Sequence, residues 1–308
     1  MKVKVAAIQT APIPAQPEKT VERALHWLDR AGAEGVKLAV FPEMYYPGYY
    51  LFKMAKIQRE RYDELMGKFN SLAEPIPGET SRRIGEKAKQ HAMHVVFTML
   101  EKDENNNFHN ASVLLSSQGE LLNIHRKAIL TPDVETPEIR PGNQFNVTQT
   151  ELGNIGQLIC ADSCGPESSR ILAIKGAQII CLSMGGFRVM WKGRDMMGPV
   201  IMDLCHASRT RAVDNSLFLI VANLSCQIGG YEYIGKSRVI NYLGDILAMG
   251  AEGPDKEELV VAEIDVEELA AIPLKMIARR RPEIYGEILQ PNLEAKKVSG
   301  AILWSAHK

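Results

Sequence analysis

Three residues of this chain carry side chains whose chemistries would combine, and each follows a short apolar run. Cys160 stands at the end of Ile155–Ile159, inside the segment GNIGQLICADSCGPESSR from Gly153 to Arg170. Glu43 follows Leu38–Phe41 and Pro42, and Lys127 follows Leu121–His125 and Arg126. A thiol becomes a nucleophile when a carboxylate takes its proton or a nearby ammonium lowers its pKa. Attack on an amide carbon would load negative charge onto the carbonyl oxygen. The Lys127 ammonium and the backbone N–H of Ala161 would stabilise that charge. Glu43 would hand the proton to the departing amine, then activate the water that frees the acyl group. Each residue also has an ordinary reading: cysteine is among the most buried residue types, and a lone Glu or Lys after a strand means little. Cooperation requires the three strand ends to meet on one rim of a sheet.

The elements that would bring them there can be read from periodicity. Val3–Gln9 is a predicted strand, and Pro17–Ala33 an amphipathic helix with Val21, Ala24, Leu25 and Leu28 on one face. Helical stretches are predicted from about Ala55 to Leu72 and from Gly78 to Gln90. His94–Glu101, Asn110–Ser116 and Leu121–His125 read as an antiparallel meander, with turns at Glu104–Asn107 and Gln118-Gly119. A loop with Pro132, Pro137 and Pro141 leads to Phe145–Val147. After Cys160 the chain turns through Ala161, Asp162 and Ser163, and Pro166 opens a helix that reaches Lys175. A strand at Gln178–Leu182, a Met- and Gly-rich segment from Met184 to Met197, and a helix of roughly Pro199–Ala212 come next. They are followed by a strand at Leu217–Ala222, a hairpin of Ser237–Ile240 with Ile246–Met249, a strand at Leu259–Ile264 and a helix at Val266–Met276. Strands alternating with helices, plus antiparallel hairpins, predict an α/β layered sandwich with helices outside and sheets inside. No repeat or linker interrupts the pattern. One domain over residues 1–280 is expected, with a C-terminal extension at 281–308. The apolar run Ala301–Trp304 suggests that this extension docks on a neighbouring subunit.

Composition narrows the classes of function. The 308 residues are 45% hydrophobic and 24% charged, as in ordinary globular proteins. The net charge of −1, from 36 basic and 37 acidic residues, provides no field to recruit nucleic acid or an anionic membrane. Cys160, Cys164, Cys181, Cys205 and Cys226 are odd in number and form no C-x-x-C pair, so neither a disulfide framework nor a metal site is expected. That usage fits a reducing cytoplasm. No apolar run approaches the roughly 18 residues of a membrane span, and MKVKVAAIQTAP is too short in its apolar part for a signal peptide.

The three chemical pieces also carry a family likeness. VAAIQTAP at the first strand, Phe41-Pro42-Glu43, HNASVLLSSQGELLNIHRKAIL around Lys127, and GQLICADSCGPESSRILAIKGAQII around Cys160 together resemble the nitrilase superfamily of carbon–nitrogen hydrolases. RAVDN (Arg211–Asn215), ANLS ending at Ser225 and GKSRVINYLGDIL are similar to its later signatures. The resemblance implies an α-β-β-α sandwich that needs no cofactor and associates as a homodimer or larger homo-oligomer. It implies Glu43, Lys127 and Cys160 as catalytic residues acting on a small-molecule amide. A second glutamate commonly lies in the loop after the lysine; Glu135 and Glu138 both lie there, and Glu135 fits the spacing better. Cys160-Ala161-Asp162 is closer to the C-x-D of amidases and carbamoylases than to the C-W-E of nitrilases. Ser163 and Cys164 stand where N-carbamoyl-acid hydrolases often place arginines, so an amide substrate leads and a ureido substrate is the alternative, with Arg188 or Arg194 as its possible source of charge. A silent relative acting as a scaffold is a third reading, against which the intact trio argues.

Pocket residues are expected from two aromatic segments. Tyr45–Tyr50, including Tyr49, and Phe187–Trp191 would wall a site for an apolar or aromatic acyl group. The competing reading is ordinary packing. Cys164 is expected to be a small packing residue, Cys181, Cys205 and Cys226 inert core, and His125 and His206 structural or surface residues.

Overall fold

The computed structural model describes residues 2–131, 135–188, 190–191, 194–195, 204–272 and 276–290. Strands β1 (Lys2–Gln9), β2 (Leu38–Val40), β3 (His94–Lys102), β4 (Phe108–Leu115) and β5 (Leu121–Arg126) lie in the first half of the chain. Strands β6 (Val147–Thr150), β7 (Gly153–Ile159) and β8 (Ile179–Met184) surround Cys160. Short pairs β9 (Met190–Trp191) with β10 (Arg194–Asp195), and β12 (Ser225–Ile228) with β13 (Tyr231–Ile234), flank β11 (Phe218–Asn223). Strands β14 (Arg238–Ile240), β15 (Ile246–Met249) and β16 (Glu258–Asp265) complete the set. Among the described residues two six-stranded sheets form, ordered β16-β1-β2-β3-β4-β5 and β15-β14-β11-β8-β7-β6.

The strands' two-residue period sorts their side chains into layers. Val5 and Ala7 join Leu38, Val40, Val96, Ile179, Cys181, Phe218 and Ile220 between the sheets. Ala6 and Ile8 face the other way, against α1 (Pro17–Ala33) and α4 (Glu79–His91). On the second sheet Ile180, Leu182, Leu219 and Val221 pack outward with Leu172 of α5 (Pro166–Ile174) and Ala212 of α6 (Leu204–Asn215). The order of layers is therefore α-β-β-α. Burial on both faces explains why β2 reads as an unbroken apolar run and β8 as one interrupted by Ser183.

Three expectations change. The stretch from Ala55 to Leu72 is two helices, α2 (Tyr50–Ile57) and α3 (Tyr62–Ser71), because Gln58 leaves helical geometry at φ −92° and ψ 76°. The break lets Phe52 and Ala55 meet Leu65, Met66 and Phe69 in one apolar cluster. Val266–Met276 is not one helix: Val266–Ala271 is a 3-10 turn, capped by the Asp265 carboxylate accepting the Glu267 N–H. The β12–β13 hairpin is an addition to the expected elements, and Gly229-Gly230, both at positive φ, form its turn. The first residues of the helix expected at Pro199–Ala212 lie outside the described residues. So does the tail from 291 to 308. Ile284, Ile288 and Leu289 in the described part of the extension are exposed. Among the described residues no helix is long and apolar enough to cross a membrane.

Candidate active site

The end of each sheet where the parallel strands finish holds the reactive groups, as is usual for α/β folds. β1, β2 and β3 run parallel, as do β7, β8 and β11. Glu43 follows β2, Cys160 follows β7, and the Glu43 N–H donates to the carbonyl of Met184 at the end of β8 (3.1 Å). That bond stitches the two sheets together beside the site. Thr98 on β3 holds the same bend from behind: its hydroxyl donates to the Pro42 carbonyl and accepts from the Tyr45 N–H. Lys127 follows β5. Its N–H donates to the Asn110 carbonyl (2.9 Å), and its own carbonyl accepts from Gly142 (2.8 Å).

The side chains converge. Lys127 Nζ, 1% exposed as a residue, donates to Glu43 Oε1 at 2.7 Å and to Glu135 Oε2 at 2.6 Å. Asn110 Nδ2 donates to Glu43 Oε1 and Glu135 Oε1, both at 2.9 Å. The Tyr49 hydroxyl lies 3.0 Å from Glu43 and 3.1 Å from Glu135. Thr131 N–H adds a further bond to Glu135 at 2.9 Å. Glu138 is elsewhere: Lys56 (2.6 Å) and the Tyr62 hydroxyl engage it. Two buried carboxylates around one ammonium is a costly arrangement unless nearly every lone pair is met, and here the donors nearly suffice.

These neighbours set the ionisation states. Burial alone would lower Lys127, but Glu43 and Glu135 outweigh it and raise it well above the usual lysine value. Burial alone would raise Glu135; Lys127, Thr131 and Asn110 hold it below the ordinary carboxylate range. Burial, then Glu135 and Glu43, push Tyr49 up, so its hydroxyl stays protonated and donates. Of the two routes expected for Cys160, a pKa lowered by an ammonium and a proton taken by a carboxylate, the first is outweighed. Part of the residue's surface remains open, yet its thiol is densely surrounded by protein. Burial and the Glu43 charge raise its pKa well above the ordinary thiol value, outweighing Lys127 and a hydrogen bond from the Gly185 N–H. These surroundings favour the neutral thiol, so for this sulfur to act as a nucleophile its proton has to be taken.

Cys160 itself is strained. It opens the 3-10 turn Cys160–Ser163 at φ +43°, a left-handed conformation that costs a residue with a β-carbon about 1–2 kcal/mol. Ser163 Oγ donates back to the Cys160 carbonyl (2.7 Å), and the Ile159 N–H donates to Asp162 Oδ2 (3.0 Å). Ala161, expected to offer its N–H to an oxyanion, is the next residue of this turn.

The aromatic segments divide. Tyr45 and Tyr46 belong to the core with Phe41 and Phe97, so they do not wall a pocket. Tyr49 faces the carboxylates with its hydroxyl. Phe187 packs edge-on against Tyr231 and Tyr233 (ring centroids 5.0 and 5.7 Å apart). The side chains of Trp191, Arg194, Cys205 and His206 lie outside the described residues. Arg188 is held by Glu232 (3.2 Å) and Glu252 (3.0 Å). Cys164, between the 3-10 turn and α5, is exposed rather than packed, whereas Cys181 and Cys226 are buried.

Several contributors escaped the sequence reading. Asn110 lies inside the quoted HNASVLL motif, but nothing in a strand asparagine announces that it joins two carboxylates. Gly185 could have been suspected from its place just after a strand: a β-carbon there would sit 2.5 Å from Glu43 Oε2. Lys53 is buried, with its Nζ 4.0 Å from the ring centroid of Tyr231, 5.0 Å from that of Phe187 and 5.8 Å from that of Tyr49. It lies on α2, two residues before the helix that periodicity predicted, and nothing local singled it out.

Comparison with known proteins gives the family of the chain. A family model described as carbon-nitrogen hydrolase matches residues 4–274. A nitrilase of Pyrococcus abyssi is 29% identical over 269 residues, covering 86% of this chain and 90% of that protein. The omega-amidase NIT2 of Homo sapiens is 26% identical over 277 residues, again covering 86% and 90%. Among solved structures, a mutant of the amidase from Nesterenkonia sp. AN1 superposes with a TM-score of 0.73 at 20% identity, covering 93% of this chain and 97% of that one. That structure carries covalent addition of the acetamide moiety of fluoroacetamide at its active site cysteine.

Proposed function

Because this chain belongs to the carbon–nitrogen hydrolase family, we propose that it hydrolyses the amide bond of a small non-peptide substrate through a thioester on Cys160. Glu43 takes the thiol proton as the Sγ–C bond forms and the carbonyl electrons move to oxygen. Lys127 and the Ala161 N–H stabilise that oxyanion, at about 3–4 kcal/mol per well-placed donor. The tetrahedral adduct collapses, the C–N bond breaks, and Glu43 protonates the leaving ammonia or amine. Water then attacks the thioester, Glu43 takes its proton, and the acid and the thiol are released. Glu135 touches Lys127 and keeps it charged and aimed.

The observation that carries this reading is the contact of Lys127 with both Glu43 (2.7 Å) and Glu135 (2.6 Å), beside a thiol whose neighbours include Glu43 and Lys127. The covalent adduct on the Nesterenkonia amidase's cysteine supports a cysteine nucleophile here too. A ureido acid would ask for a guanidinium at the site, and Arg188 is already held by Glu232 and Glu252. The amide reading therefore leads. The same reading expects a homodimer or larger assembly, for which Ile171 and Ile174 on α5 and Val213 on α6 offer an exposed apolar face.

A panel of aliphatic amides, ω-amides of dicarboxylic acids and ureido acids tests the proposal, with ammonia and carbon dioxide both measured. Ammonia without carbon dioxide, an acyl adduct on the Cys160 peptide, and no turnover by Cys160→Ala are expected. Carbon dioxide in step with ammonia would move the substrate to the ureido class. No ammonia and no adduct with any compound would remove the hydrolase assignment.

A further inference from the structure

We propose that Asp162 is a positioning residue that locks the nucleophile turn to the lysine arm across the seam between the two sheets. The inference rests on the proposed roles of Cys160 and Lys127. Asp162 is fully buried. Its Oδ2 accepts from the Ile159 N–H (3.0 Å) and faces His125 Nε2 at 2.8 Å. Its Oδ1 accepts from the N–H groups of Ala128 (3.0 Å) and Ile129 (2.8 Å). Ile159 is the residue before Cys160, and Ala128 is the residue after Lys127. One carboxylate thus fixes the backbone on the flank of each reactive side chain.

The two flanks belong to different sheets. Ile159 ends β7 of the second sheet, and His125 lies near the end of β5 in the first. Between the sheets many contacts are apolar, and apolar burial has no direction. The directional bonds across the seam include Glu43 N–H to the Met184 carbonyl and Gln157 with Ser112 and Asn123. These do not touch the backbone flanking Cys160 and Lys127 together, as Asp162 does. Catalysis is less forgiving, since a misplacement of about 1 Å can cost on the order of 100-fold in rate. Directional, charge-assisted bonds are what convert two packed sheets into a fixed distance between Lys127 and Cys160. His125 is itself braced, stacked on Phe145 with ring centroids 5.7 Å apart and planes at 28°. Asp162 uses both oxygens as acceptors. An asparagine there offers one oxygen, and its NH2 would oppose the donors on the other side.

The test is a double-mutant cycle of Asp162 with His125, read by turnover and by urea denaturation. Asp162→Asn should lower kcat by about 100-fold with KM changed less than about threefold. His125→Phe removes one arm of the clamp and leaves Asp162 in place, so it should lower kcat by about tenfold. In a His125→Phe background Asp162→Asn should lower kcat by a further factor of only about tenfold, because one arm is already gone. If Asp162→Asn keeps kcat within about threefold of wild type, or if its effect on kcat is the same with and without His125, the positioning role is overturned. If Asp162→Asn fails to fold, a wild-type kcat in His125→Phe overturns it instead. Should the wild type turn over no amide, the hydrolase reading falls separately. Non-additive stabilities across the same cycle would still support the clamp, and additive ones would overturn it.

Discussion

Lys53 offers a stability prediction whose sign and size both follow from its surroundings. Burial brings its ammonium down from 10.5 to about 8, although Glu43, Glu135 and Cys160 pull the other way. A lysine that binds its proton less tightly in the native state than in the unfolded chain opposes folding wherever it is charged. Every tenfold loss of proton affinity is worth about 1.4 kcal/mol, so the fall to about 8 corresponds to about 3 kcal/mol at neutral pH. The Tyr231, Phe187 and Tyr49 rings return about 1–2 kcal/mol through cation–π attraction. Lys53→Met keeps the volume and flexibility of the side chain and removes the charge. The variant should therefore be more stable than wild type at pH 7 by about 1–3 kcal/mol. Between about 8 and 10.5 the unfolded chain holds the proton that native Lys53 has released, so wild-type stability rises with pH through that window. The variant lacks this dependence, and its advantage should close by pH 10.5. Urea denaturation at pH 7 and pH 10.5 measures both. A Met variant less stable than wild type at pH 7, or an advantage of equal size at both pH values, would refute the reasoning.

Four further outcomes are expected. Cys160→Gly should match or exceed Cys160→Ala in stability, by about 0.5–1 kcal/mol in urea, because at φ +43° the β-carbon strain outweighs glycine's unfolded-state entropy; at an ordinary helical position the order would be reversed. Gly185→Ala should lower kcat by about 100-fold in the amidase assay, since the new methyl would meet Glu43 Oε2 at 2.5 Å and displace the base. Glu135→Gln should lower kcat/KM by about 10–100-fold, the loss of one buried charge-assisted bond to Lys127. Glu135 contributes stability that is present above the ordinary carboxylate value of 4.5 and lost as pH falls through its lower native value. The stability gap between wild type and Glu135→Gln should accordingly close on acidification below pH 4.5, as followed by urea titrations.

How much of this was legible depended on the range of the signal. α1 was readable to its ends, because Pro17 starts it and its face of Val21, Ala24 and Leu28 is a local pattern. The strands β2 and β8 were readable because burial on both faces makes them largely apolar, and β1 and β7 because each carries a short buried run of small and branched apolar residues. The break at Gln58 was not, since it exists to bring Phe52 and Phe69 together, and that contact is tertiary. Glu43, Lys127 and Cys160 were legible as strand-end residues in recognisable motifs. Their ionisation was not. The sequence offered both an ammonium to lower the thiol's pKa and a carboxylate to take its proton; that burial and the Glu43 charge outweigh Lys127 is something only coordinates weigh. Cys164 looked like packing because cysteines usually pack, and nothing local showed that its side chain is exposed there.

Under the proposed mechanism, a neutral thiol at Cys160 changes what the surrounding charges are for. If Lys127 served mainly to depress the cysteine, two carboxylates at 2.6 and 2.7 Å from its ammonium would defeat it. Their effect is instead to keep Lys127 protonated through the whole working range, well above the usual lysine value. A cation held that way is ready for the moment when charge arrives on the substrate oxygen, and preorganised charge needs no reorganisation then. The opposing carboxylates also keep it from stabilising a resting thiolate, so its attraction is reserved for the transition state, where differential binding counts. Glu43 gains by the same arrangement: a carboxylate beside a neutral thiol can take a proton, whereas one beside a thiolate could only repel it. The rate of Cys160 alkylation should therefore rise steeply with pH well beyond the ordinary thiol value of 9.0. A plateau already reached by pH 7 would mean that the thiolate is the resting form and that this division of labour is wrong.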